Sequence, residues 1–75
     1  MSHETSMKKY IEKTEEMGEK ITLGDHSRWK VGRFDKLKAM GWKPGDEVKV
    51  ILRKEGKCEI TNLSNNETVD AERIR

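Results

Sequence analysis

Cysteine, proline and aromatic residues are scarce in this 75-residue chain, and long apolar runs are missing. The lone Cys58 excludes an internal disulfide. With only His3 and His26 beside it, a four-ligand cysteine–histidine zinc set is excluded too. The longest uninterrupted apolar run is Val50-Ile51-Leu52, far short of the roughly 18 residues that span a bilayer, so no membrane partner is expected. A basic start followed by an apolar run and a small-residue cleavage site does not occur, and the expected compartment is the cytoplasm. The glycines spell neither G-x-G-x-x-G nor G-x-x-x-x-G-K-[ST], which leaves no nucleotide loop. Asp25, His26 and Ser27 are the residue types of a hydrolase triad, but neighbouring loop residues point apart and cannot form both required hydrogen bonds. Cys58 has no histidine near it in sequence. We expect no enzyme, no metal and no cofactor.

Apolar residues are also few, at 32%, against 40% charged residues, with a mean hydropathy of −0.99. A core this small barely offsets an ordering cost of about 1.5 kcal/mol per residue. With disulfide and metal excluded, self-association is the expected remedy.

What the chain does have is charge, unevenly placed. Net charge is only +2, yet between residues 28 and 43 Arg28, Lys30, Arg33, Lys36, Lys38 and Lys43 face a single acid, Asp35. The flanking stretches are slightly acidic. A block of this kind concentrates positive potential and is the footprint of a phosphate-binding surface.

Periodicity divides the chain further. Met7, Tyr10, Ile11, Thr14 and Met17 lie on one stripe of a 3.6-residue repeat, with Lys and Glu between them. They predict an amphipathic helix, with Thr5 or Ser6 as its cap and Gly18 as its stop, forming an N-terminal arm over residues 1–19. Met1 to Glu4 are expected to be disordered. Residues 20–75 read as one small, mainly β domain. Lys20 to Leu23 and Trp29 to Arg33 alternate as two short strands around the turn-forming Gly24 to Ser27. Phe34, Leu37 and Met40 switch to three-residue spacing, predicting a short helix that ends at Gly41 with positive φ. Lys43-Pro44-Gly45-Asp46 has type II turn chemistry, with positive φ at Gly45. Val48, Val50 and Leu52 then alternate into a hairpin whose turn is Lys54 to Lys57 and whose return strand carries Cys58, Ile60 and Asn62. A turn at Ser64 to Asn66 and a last strand around Val69 and Ala71 complete the pattern.

Ser27 to Arg33, followed by Leu37-Lys38-Ala39-Met40-Gly41-Trp42-Lys43-Pro44-Gly45-Asp46-Glu47-Val48-Lys49-Val50, resembles the swapped-hairpin regulators of the AbrB type and the MazE-type antitoxins. The likeness covers about residues 20–62 and is strongest from Lys43 to Val50. Gly32 stands where the family pattern has proline. The resemblance implies a mainly β protein with short helices, a swapped-hairpin β-barrel homodimer that acts as a DNA-binding transcription regulator or architectural factor. It implies that Arg28, Lys30 and Arg33 contact the phosphates of duplex DNA. Lys36 and Lys38, in the same basic block, join them as candidates. Trp29, flanked by Arg28 and Lys30, is a candidate base-stacking residue, although an aromatic alternating with charge on a strand also fits a core position. Trp42, Phe34 and Tyr10 read as packing residues. Two alternatives remain open: a protein-interaction module, antitoxin-like or a viral inhibitor, whose N-terminal helix or C-terminal tail occupies a partner groove, and a KOW-like small barrel that binds RNA.

Overall fold

The structure is a computed structural model that describes residues 6–53 and 57–74. Among these the chain forms strands β1 (Ser6–Glu15), β2 (Lys20–Leu23), β3 (Arg28–Val31), β4 (Glu47–Leu52), β5 (Lys57–Asn62) and β6 (Glu67–Ile74), with one short helix, α1 (Lys36–Met40). The strands close into an antiparallel barrel in the order β1-β2-β3-β6-β5-β4, and β4 returns to pair with β1.

Alternation explains the core directly. Val48 and Val50 of β4, Cys58 and Ile60 of β5, Val69 and Ala71 of β6, and Trp29 and Val31 of β3 point inward and are buried. Ile21 and Leu23 of β2 and Ile11 of β1 complete the packing. Asn62 is fully buried among them, and its amide is satisfied: Nδ2 donates to Asp46 at 3.0 Å, and Oδ1 accepts the Ser64 N–H at 2.8 Å.

The helical arm expected over residues 1–19 is instead a strand where the structure describes it. β1 lies between β2 and β4 and closes the barrel, so residues 6–15 belong to the domain and not to an appendage. Its pairing slips between Ile11 and Lys13, a β-bulge. The bulge is the physical reason for the difference. It shifts the alternation by one residue, so Met7, opposite Val50, and Ile11, opposite Leu23, share a side of the sheet with Thr14, opposite Ile21; Ile11 is fully buried, Thr14 partly, and Met7 at the strand's start is exposed. Spacings of four and three mimic a helix. A lone helix of a dozen residues is marginal in water, whereas a strand here satisfies two open sheet edges. Residues 1–5, including the expected disordered start and the Thr5 cap, and the expected turn residues 54–56 lie outside the described residues.

One end of the barrel is covered by α1 and by the turn Glu16–Gly18. Ala39 and Trp42 are the buried residues there, and the Trp42 indole N–H donates to Glu67 Oε1 at 3.0 Å. The turn meets the helix backbone to backbone: a Cβ on Gly18, whose φ is +91°, would lie 2.3 Å from the Lys36 carbonyl oxygen. Gly45 has the expected positive φ of 92°, and the Asp46 N–H donates to the Lys43 carbonyl at 3.0 Å, as a type II turn requires. Gly41 does not have positive φ; at −89° it continues the helical conformation past the last turn of α1. Phe34 is not a packing residue either: the helix begins only at Lys36, so Phe34 lies outside the turn that buries Ala39 and is 91% exposed. Tyr10 is half exposed and lays its ring over Gly24. All six strands of the closed barrel come from one chain, so closure requires no hairpin lent by a second copy.

Candidate nucleic-acid interface

Alternation along β3 sorts the candidate residues. Arg28 and Lys30 are exposed on the outer face, about 6.6 Å apart at the strand rise of 3.3 Å per residue, while Trp29 and Val31 face inward. Trp29 is therefore not available for stacking on a base. It is buried, and its indole N–H donates to the Ser27 hydroxyl at 2.9 Å. The Arg73 guanidinium lies 5.9 Å from its ring centroid.

Pairing register places further groups beside this strand. Lys20 on β2 lies directly opposite Lys30, and Thr22 opposite Arg28. On the other side, Glu72 of β6 lies opposite Lys30 and Ile74 opposite Arg28. Beyond the end of β3, Arg33 and Lys36 continue the basic line onto the connection and the start of α1, both exposed. Arg28, Lys30, Arg33 and Lys36 form no ion pair among the described residues. Lys38 stands apart from them: it sits 3.5 Å from Asp35 Oδ1 and donates to the Thr68 carbonyl at 3.4 Å. Lys20 pairs with Glu16 at 3.3 Å, and Lys13 with Glu15 at 3.9 Å. Of the six candidates, then, four form an exposed strip, one is tied down and one is in the core. Lys20 was not among the sequence candidates for this face and joins it only through strand register, which no local pattern announces. Arg73 lies opposite Trp29 and shares the Trp29 side of the sheet, not the Arg28 and Lys30 side.

The triad-like residues are occupied by the loop itself. The Ser27 hydroxyl donates to Asp25 and accepts from Trp29, while His26 is exposed with its Nδ1 3.7 Å from Glu12. Asp25 also takes the Lys9 ammonium at 2.7 Å and the Ser27 N–H at 2.9 Å. These donors, Lys9 foremost, hold its carboxyl far below the usual carboxylate range. Cys58 faces the core, and burial pushes its thiol pKa up, away from the reactive thiolate. Among the described residues, no helix is long and apolar enough to cross a membrane.

The chain matches no protein-family model, and comparison with curated proteins and with solved structures gives no match either.

Proposed function

We propose that this protein is a nucleic-acid-binding barrel that holds a phosphate backbone along β3 and the start of α1 through Arg28, Lys30, Arg33 and Lys36. The observation that carries the reading is the run of exposed cations along one strand and the segment after it. Arg28, Lys30, Arg33 and Lys36 are exposed and form no ion pair among the described residues, with Glu72 across from Lys30 the one acid in register with them, whereas Lys8, Lys9, Lys13 and Lys20 are each matched by an acid. Exposed, unneutralised cations in a line are what a polyanion displaces its counterions to meet. The resemblance around Lys43 to Val50 supports a regulatory role on DNA, and the free, buried Cys58 fits a cytoplasmic setting. In this reading a homodimer associates as two closed barrels and presents two such strips.

The test is a binding series with duplex and single-stranded DNA over a range of salt. Affinity should fall with a slope of about −0.9 per phosphate neutralised on duplex and about −0.7 on single strands. No binding to either form at low salt refutes the proposal.

A further inference from the structure

We infer that Phe34 is a stacking platform for an unpaired base, so that the polyanion held by this barrel is a single-stranded nucleic acid. The inference rests on the backbone-binding reading above and names its substrate class.

The chain has four aromatic residues, and three are accounted for: Trp29 and Trp42 are buried, and Tyr10 covers Gly24. Phe34 is the exception. It is 91% exposed, an unfavourable state for a large apolar ring unless something covers it. It is presented on a pinned segment. The Asp35 N–H donates to the Gly32 carbonyl at 2.9 Å, the Gly32 N–H donates to the Asp70 carbonyl at 2.8 Å, and the Asp35 carboxylate accepts the Asp70 N–H at 3.0 Å. These bonds fix the chain on both sides of the ring to β6. Leu37, at 71% exposure, and Met40 follow at helical spacing, giving the ring apolar company on which a sugar or a second base can rest.

The cations decide the chemistry of the occupant. Arg33 precedes Phe34 and Lys36 follows by two residues, while the intervening Asp35 carboxylate is taken up by the Asp70 N–H and Lys38, so in sequence the ring is flanked by exposed cations, unpaired among the described residues, after the end of β3. Basic residues interleaved with an exposed ring form the pattern of a single-strand site, where every base offers a face to stack on regardless of its identity. A duplex hides those faces between neighbouring base pairs and shows only base edges in its grooves. A ring standing clear of the surface therefore suits an unpaired strand better than a closed helix.

The experiment measures fluorescence anisotropy of a labelled oligo(dT) of about 15 nucleotides and of a mixed duplex of equal length, with wild type, F34A, F34L and F34W. Wild type should prefer the single strand. F34A and F34L should both lose about tenfold or more on oligo(dT), the range set by one base–aromatic stack, with the salt slope unchanged. F34W should retain affinity, and its exposed indole should be quenched on binding. Equal single-strand affinity for wild type and F34A overturns the inference while leaving the backbone-binding proposal standing. Full affinity in F34L overturns it as well, and points to a surface that needs only apolar bulk, such as a protein docking face. Failure of wild type to bind either nucleic acid overturns both.

Discussion

Asp25 gathers three donors on the loop between β2 and β3, and its depressed pKa ties stability to acid. Its folded pKa lies below the unfolded value of about 3.9. The contribution is therefore fully present above that value and is lost as pH falls through the folded pKa. Its side chain is 42% exposed, so solvent screening holds the effect to about 1 kcal/mol or less. Melting temperatures of wild type and D25N should differ at pH 6 and converge as pH drops below about 4. A gap that persists unchanged in acid would show that the charge has no part in it. Asp46 is shifted in the same direction by the Lys43 N–H and the Asn62 amide, and adds to the acid sensitivity. Two glycines give a sharper contrast. Gly45, at φ 92°, should lose more than about 1 kcal/mol on replacement by Val. G41A should stay within about 0.5 kcal/mol, because φ is −89° and the nearest atom to a new Cβ is 3.9 Å away. Equal melting shifts for the two variants would contradict the turn geometry.

At the scale of elements, β1 separates what periodicity reveals from what it conceals. The hairpin β4–β5 was readable from strict alternation, and the turn before β4 from proline and glycine chemistry. β1 was not, because a bulge after Ile11 shifts its alternation by one residue and leaves inward positions at helix-like intervals. The two readings differ in energy. On the helical stripe Ile11 and Met17 are equivalent, whereas in the barrel Ile11 is fully buried and Met17 is 75% exposed in the turn. I11A should cost about 2 to 5 kcal/mol and M17A less than about 0.5 kcal/mol by urea unfolding. Comparable small losses would restore the docked helix. Helix α1 was found by its spacing, and Trp42 after it is buried as expected, but the buried side of the helix was not read: Ala39 turns inward while Leu37 stays out, because five residues bury only one helix face, and Phe34, before the helix begins, is exposed.

For the whole molecule, the basic block was readable because its charges are contiguous in sequence, while its limits were set by register. Lys20 beside Lys30, Glu72 across from it and Trp29 turned into the core follow from strand pairing and strand direction, while Lys38 is drawn to Asp35 by helical i,i+3 spacing. The thin composition pointed to association as the source of stability, yet one chain supplies every strand of the closed barrel. Sedimentation with far-UV circular dichroism at falling concentration should therefore show a folded species persisting to 8.7 kDa. Loss of structure on dilution would mean that hairpins are exchanged between copies. The central claim is the strip itself, and the salt dependence of nucleic-acid affinity in the R28A/K30A/R33A variant tests it most directly. Binding should weaken across unrelated sequences and the slope should flatten by about one unit for each phosphate contact removed, with the melting temperature little changed. Unchanged affinity and slope in a folded triple variant would contradict it.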